Sequence, residues 1–495
     1  MTHVTRKQVL EILNSFEKKY EVEKWVYCGI KIWPFIRIKI GIHLYSLDVH
    51  KVFFQNNRNE IKPPRMTIFK KNIFRFKSFF SFFKLLFKQS DYFFAGFFQY
   101  RTKINGIWIN RFYDVLINLL KADKYYSIAL DQDFPGKRKY FNSSQLFFSE
   151  ELKEVFFHFP FRTNKISGHT KLDGYESFVK DLLENEHTKN LHHLISLSKL
   201  NIMISNVFWH AEFYYFFLSV KKPKYIFQIC YYGSQMMGLN IAARKLNIPV
   251  VDIQHGGQGP FHMSYGNWKK VPDGGYEMLP KYFWCWNDYD ASVINEWAEK
   301  TNFHQAFSIG NPWMEIFKNK KILSQVFQME HFDYDKNVIL FSLQSKEIQW
   351  PDFFVKAIVA SKDKYKWRFR VHPTHVTSVP HIKKQLDGFG LEHCYEIEKT
   401  SSLPLPLVLA NTALHITEFS GVTKEAASMG IFSIMLHPYS KEMFANEIQQ
   451  GTAMFAENMS FVDFLNLVNV KFNPDKKVSY SEKLGFYEKF KKYFA

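Results

Sequence analysis

Short, almost uncharged apolar runs alternate with longer amphipathic stretches along this chain, and they do so in two separate series. The first series reads DYFFAGF, YYSIAL, KYIFQIC, IPVVDIQ, YFWCWN and FSIGNP, with the helical patterns GIWINRFYDVLINLLKA, SQMMGLNIAARKLN and DASVINEWAEKT between them. The second reads NVILFSL, KWRFRVH, CYEIE, LHITEF and FSIMLH, separated by DFFVKAIVASK, VPHIKKQL, LPLVLAN and GVTKEAASMG. A run that is apolar throughout suits a strand covered on both faces, and an intervening helix is the crossover that parallel strands require. The pattern predicts an α/β protein of two Rossmann-like, doubly wound domains facing a cleft, with an N-terminal helical, basic and aromatic extension. A chain of 495 residues is too long for one core. The expected divisions are an extension over 1–90, a first domain over 91–315, a second over 316–475 and a basic helix over 476–495. The polar stretch from Trp313 to about Lys336 is the expected inter-domain link.

Ligands of such sheets bind outside the C-terminal ends of the strands, so the residues just beyond each apolar run are the candidates. After IPVVDI come Gln254, His255, Gly256 and Gly257. Glycines there allow backbone N–H groups to approach a ligand, and His255 is a candidate general base near neutral pH. The plainer reading is a turn capped by a histidine. After KWRFRV come His372 and Pro373, with His375 three residues on, and Arg370 with these histidines can meet a phosphate. The plainer reading is a strand-exit loop whose direction proline fixes. LHIT leads to Glu418, and Ser420, Gly421 and Thr423 then open a helix that bears Glu425. Such a start can hold an anion and Glu425 a ribose diol, or it can be an N-cap followed by a capping glutamate. Gly310 and Asn311 shape a further turn before Pro312.

Lys and Arg number 65 against 47 Asp and Glu, a net charge of +18, which points to polyanionic partners. The charge is spread along the chain without an RNA-binding motif, so nucleic acid is not an expected partner. The segment FKKNIFRFKSFFSFFKLLFK, residues 69–88, has the composition of a helix lying on an anionic membrane surface. Its alternative is a core helix with snorkelling lysines. No apolar run reaches the roughly 18 residues that a membrane span needs. The N-terminal stretch reads as a polar amphipathic helix and not as a signal peptide, and the four cysteines are scattered without metal spacing. A cytoplasmic protein, peripheral on the inner face of the cytoplasmic membrane, is expected. Neither Walker A nor GxGxxG is present, and the Asp-x-Asp at Asp131–Asp133 recurs at Asp288–Asp290 and Asp333–Asp335, so it carries little information. Neither a metal nor a cofactor is expected.

IPVVDIQHG, LPKYFWCWN, IGNP, SGVTKEA and GIKIWPFIR together resemble the GT-B fold glycosyltransferases of bacterial capsule and lipopolysaccharide synthesis. The His372-Pro373 pair is similar to the His-Pro motif of members that use CMP-activated sugars, where the histidine contacts the donor phosphate. The Ser420–Thr423 turn is similar to their second phosphate contact, and also to a region of polyol-phosphate polymerases. The resemblance implies a metal-independent transfer of sugar from a nucleotide-sugar donor to a glycan or lipid-linked acceptor. It places the donor on Arg370, His372, Pro373, Glu418, Ser420, Gly421, Thr423 and Glu425. The acidic base motif of the sialyltransferases is absent, which leaves His255, then Asp273, then Glu277 as the catalytic base. The competing readings are a non-hydrolysing nucleotide-sugar epimerase, a polyol-phosphate transferase, and a non-catalytic membrane- or RNA-binding protein.

Overall fold

A computed structural model describes residues 5–53, 68–132, 138–158, 168–191, 196–327, 337–344, 350–457, 459–475 and 481–495. Within it the chain forms two compact units, Met1–Pro312 together with Phe486–Ala495, and Trp313–Gly485.

The first unit is built on seven parallel strands. Across the sheet they run Gln305–Ser308, Tyr282–Cys285, Val250–Ile253, Tyr225–Ile229, Tyr92–Phe97, Ser127–Gln132 and Leu146–Phe148. In chain order this is 7-6-5-4-1-2-3, the doubly wound arrangement. The order reverses between Tyr92–Phe97 and Tyr225–Ile229, whose onward connections leave in opposite directions. Side chains alternate across each strand, so Phe93, Ala95, Ile128 and Leu130 enter one core while Tyr92 and Phe94 face the other way.

The second face is covered from far along the chain. Phe486, Phe490 and Phe494 of the helix Gly485–Phe494 pack on Tyr92, Phe227 and Trp284. Tyr487 donates to Asp123 at 2.6 Å, and Lys489 to the Ser308 carbonyl at 2.8 Å. The basic C-terminal helix is therefore an amphipathic cover whose aromatic side completes the first unit.

The N-terminal stretch is also part of this core. Helices Arg6–Lys19 and Trp33–Phe53 bury Leu13, Phe16, Trp33 and Ile36. Arg37 pairs with Glu17, both fully buried, and Trp33 Nε1 donates to the same carboxylate at 2.8 Å. Arg37 also donates to the Met263 and Gly266 carbonyls at 3.2 Å, and Lys269 N–H donates to Glu17 at 2.7 Å. One buried ion pair thus ties these helices to the segment beyond His255. The helix Ile68–Leu86 forms as the sequence predicts and buries Phe82 and Leu85. The stretch expected as one helix from Gly106 is instead a strand, Ile107–Asn110, hairpinned to Arg101–Ile104, and then a helix, Asp114–Ala122. β-branched and aromatic residues at Ile107, Trp108 and Ile109 explain the difference.

The second unit has six parallel strands, ordered Tyr395–Glu396, Lys366–Val371, Val338–Leu343, Leu414–Thr417, Ser433–Met435 and Ala453–Phe455. In the unit's own chain order this is 3-2-1-4-5-6, so the reversal falls between Val338–Leu343 and Leu414–Thr417. His415 bridges three strands inside this sheet, with Ser342 on one ring nitrogen and Ser433 at 2.8 Å on the other. Helices occupy Pro312–Ile316 and Lys320–Phe327, within the expected link, and Met314 enters the second core. Residues 328–336 of that link lie outside the described residues, as does Asp133.

Candidate functional site

At the reversal point of the first sheet, Cys230 takes φ 64°, which turns the chain sharply after Tyr225–Ile229. Tyr231, Tyr232 and Gly233 lead into the helix Ser234–Lys245, whose first turn has no side-chain cap. The Tyr232 hydroxyl lies 3.1 Å from His255 Nε2. The Tyr100 ring, from the loop after Tyr92–Phe97, is 5.6 Å from the His255 ring, and the His262 ring is 5.9 Å from Tyr232. Three loops therefore bring one aromatic and histidine cluster to the C-terminal edge of the strands.

Gln254 explains why the apolar strand ends as it does. It is fully buried, and its amide nitrogen donates to the Gly256 carbonyl at 3.0 Å and to Asp290 at 2.8 Å. Its oxygen accepts the Trp286 N–H at 2.7 Å. This clamp orients His255 and lays out the glycine turn beyond it. A Cβ built at Gly256, Gly257 or Gly259 would meet nothing within 4 Å, so this backbone borders open space.

Burial, with Arg111 adding its charge, lowers the His255 pKa to about 4. His262 falls well below its ordinary value through burial, then Arg6 and His255. Both rings are neutral at pH 7. That changes what His255 can do, because so weak a base is useful only when a nearby negative charge raises its pKa. Burial pushes the Cys230 thiol up to about 12, which removes it as a thiolate nucleophile.

The structure does not bring Asp273 and Glu277 to His255. Asp273 is exposed in the loop before Tyr282–Cys285, and its carbonyl accepts the Asn302 N–H at 3.0 Å, just ahead of Gln305–Ser308. It thus sits where strands begin, at the opposite edge of the sheet. Glu277 accepts the Lys31 N–H at 3.2 Å and pairs with Lys31 Nζ at 3.1 Å. Gly310 has φ 119°, and its carbonyl accepts Trp284 Nε1 at 2.8 Å; Asn311 comes next in the turn. Asp131 pairs with buried Arg101, which also holds Asp114 at 2.8 Å, and Tyr113 donates to Asp131. Ion pairing thus accounts for the aspartate that an Asp-x-Asp reading would give to a metal. Among the described residues no group of three or more His, Cys, Asp or Glu could hold a metal ion.

At the reversal point of the second unit lie buried polar atoms without a hydrogen-bond partner among the described residues. Glu418, directly after Leu414–Thr417, is 9% exposed, and its Oε2 has no hydrogen-bond partner among the described residues. Burial raises its pKa to about 7. Gln344 Oε1, at the end of the neighbouring Val338–Leu343, and Thr423 Oγ1 are likewise buried without a partner among those residues. Ser420 N–H donates to Thr417 Oγ1 at 3.3 Å, and Ser420 Oγ accepts the Val422 N–H at 3.3 Å. The serine therefore closes a local turn ahead of the helix Val422–Ser428, whose N-cap is Gly421 and in which Glu425 lies in the first turn.

His372 comes directly after Lys366–Val371 and is exposed, and Pro373 begins the 3-10 stretch Pro373–Ser378. Arg370 also braces a neighbouring element. Its guanidinium donates to the Thr400 carbonyl and, at 2.8 Å, to the Leu403 carbonyl, at the end of the helix Glu398–Ser402. Sequence reasoning misses a second His-Pro pair, His437-Pro438, although it too stands after an apolar run, FSIML. His437 N–H donates to the Glu418 carbonyl at 3.2 Å, and its ring is 4.9 Å from Phe419. Its Nδ1 accepts the Tyr439 N–H at 3.2 Å, so the neutral ring carries its hydrogen on Nε2.

No protein-family model matches the chain. No curated protein matches it either. Solved structures similar to it include UDP-GlcNAc 2-epimerase from Neisseria meningitidis, at 12% identity and TM-score 0.44, covering 81% of this chain and 99% of that one. The UDP-GlcNAc 2-epimerase of Methanocaldococcus jannaschii gives 12% identity and TM-score 0.45, over 82% and 100% of the two chains. That of Rickettsia bellii gives 14% identity and TM-score 0.42, over 82% and 96%.

Proposed function

We propose that the chain is a metal-independent glycosyltransferase that moves a sugar from a nucleotide-activated donor to a glycan or lipid-linked acceptor in bacterial surface polysaccharide synthesis. One observation carries this reading. At the reversal point of the second sheet, Glu418, Gln344 and Thr423 present buried polar atoms with no partner among the described residues. Unsatisfied buried groups are costly, and a polar ligand that hydrogen-bonds to them removes the cost. A nucleotide, with a base, a ribose and phosphate, supplies both donors and acceptors at such an edge.

The second unit takes the donor. His372 and His437, each at the end of an apolar run, stand on the side where charge builds on the leaving phosphate. Glu425 takes the ribose. The resemblance of His372-Pro373 to the His-Pro motif of enzymes that use CMP-activated sugars favours a cytidine nucleotide. The first unit takes the acceptor at the Tyr232–His255 pair. In the reaction the acceptor oxygen attacks the anomeric carbon and the bond from that carbon to the donor phosphate breaks. The nucleotide leaves, and the acceptor proton passes to His255. The ring is neutral before this step, the state in which it can take a proton.

The test is mass spectrometry of products from CMP-, UDP- and GDP-sugars, with and without a glycan acceptor. Transfer from one donor, lost in both His372→Ala and Glu425→Ala variants that still fold, is the expected result. Interconversion of a free nucleotide sugar without acceptor would replace this reading with an epimerase.

A further inference from the structure

The helix Ile68–Leu86 is half built into the first unit and half not. Phe82 and Leu85 are buried, and the Phe82 ring stacks on Phe216 of the long helix Leu197–Lys221 at 5.8 Å. The opposite side carries Phe76, Phe80, Phe83 and, one residue past the helix, Phe87, exposed by 77, 70, 53 and 85%. Ile73 begins the same row at 41%. The spacing from 73 to 87 runs 3, 4, 3, 4, which places the five side chains on one stripe about 20 Å long. A water-exposed monomer has no use for a continuous phenylalanine stripe of this length.

Charge identifies what covers it. Lys77 and Lys84 are exposed on the turns that carry the stripe, and residues 68–88 contain no Asp or Glu. The acids on the adjacent helix Ser149–His158 are engaged. Glu154 pairs with Arg75 at 2.8 Å, Glu151 accepts from Ser81 at 2.8 Å, and Glu150 pairs with Lys153 at 2.6 Å. The stripe therefore presents phenylalanines with exposed lysines along one flank. A protein partner would need a groove of matching shape. An anionic lipid surface needs only acyl chains below and phosphate at the rim, and the composition fits it. Among the described residues no helix is long and apolar enough to cross a membrane.

We infer that Ile73, Phe76, Phe80, Phe83 and Phe87 form an in-plane docking face for an anionic lipid bilayer, with Lys77 and Lys84 at the headgroup level. The inference does not depend on the transfer reaction proposed above. The full chain should co-float with vesicles of about 30% phosphatidylglycerol in phosphatidylcholine, and bind pure phosphatidylcholine at least about tenfold more weakly. Replacing Phe76, Phe80, Phe83 and Phe87 together by Ser should abolish flotation. A separate Lys77→Glu, Lys84→Glu variant, changed only at exposed positions, should lose at least about tenfold in binding to the anionic vesicles. Circular dichroism and turnover with a water-soluble acceptor should stay unchanged in both, which separates this face from the transfer site. Flotation of either variant at the wild-type level overturns the inference. So does a wild-type chain that ignores anionic vesicles and sediments as a dimer that the four Phe→Ser changes dissociate.

Discussion

Glu418 is a carboxyl whose protonation the fold controls. Its pKa rises from 4.5 to about 7 on burial, so between those values the folded chain keeps a proton that the unfolded chain has lost. Raising the pH through this window therefore lowers the stability of the second unit. Glu418→Gln should leave the melting temperature nearly unchanged at pH 4.5 and raise it at pH 8, as differential scanning calorimetry will read. In the first unit, His255→Ala should cut transfer by about a hundredfold or more, and Tyr232→Phe by less, with both variants folded. Single-turnover kinetics would check this, and full activity in His255→Ala would remove it from the reaction. Much of this chemistry was legible residue by residue. Gln254, His255, Glu418 and Ser420 all stand just beyond apolar runs. Which neighbour each side chain meets was not legible. Arg370 reads as a phosphate ligand, and only the structure shows that its Nη1 also donates to the Thr400 and Leu403 carbonyls. Glu277 reads as a base until Lys31, far away in sequence, is seen beside it. His437 carries the same His-Pro signal as His372, and inspecting the residues at the end of every apolar run would have found it.

At the scale of elements, close packing sets the sharpest constraints. A Cβ at Gly238 would lie 2.7 Å from the Val207 carbonyl and 2.8 Å from the Ala211 nitrogen, both backbone atoms of the crossing helix Leu197–Lys221. Gly238→Ala should force these helices apart and cost about 1–3 kcal/mol, measurable by urea unfolding. Glu17→Gln should cost about 3–5 kcal/mol, because it leaves Arg37 buried without its counter-ion. It should also loosen the segment after His262, which Arg37 holds by its carbonyls. The strands of both sheets were readable because parallel strands are apolar on both faces. The N-terminal helices were readable as helices but not as core, since only the packed partners Trp268 and Glu17 explain why Arg37 can be buried. Likewise the tail helix reads as basic, and only the sheet beneath it shows why Phe486, Phe490 and Phe494 repeat every four residues.

The whole molecule combines a net charge of +18 with two units that answer acid differently. Burial is the largest cause lowering the pKa of His210 to about 3, of His255 and His304 to about 4, and of His262 well below its ordinary value, all in the first unit. As pH falls from 6.5 toward 4, the unfolded chain takes up protons that these rings refuse, so the first unit loses stability. In the second unit burial lowers His415 to about 3, set against the gain from Glu418. Hydrogen exchange at pH 7 and pH 5 should show the first unit opening more readily in acid and the second changing less. The doubling of the sheet pattern made both units visible in the sequence, whereas the return of the tail to the first unit is a tertiary fact that periodicity does not contain. The central claim is that the reversal-point edge of the second sheet binds a nucleotide. Isothermal titration of the full chain with CMP, CDP, UDP and GDP tests it most directly. The account predicts selective binding of a cytidine nucleotide, weakened at least about tenfold by Glu418→Ala and by His437→Ala, and unchanged by His255→Ala. Absence of binding by all four nucleotides, or binding untouched by the Glu418 and His437 changes, would contradict it.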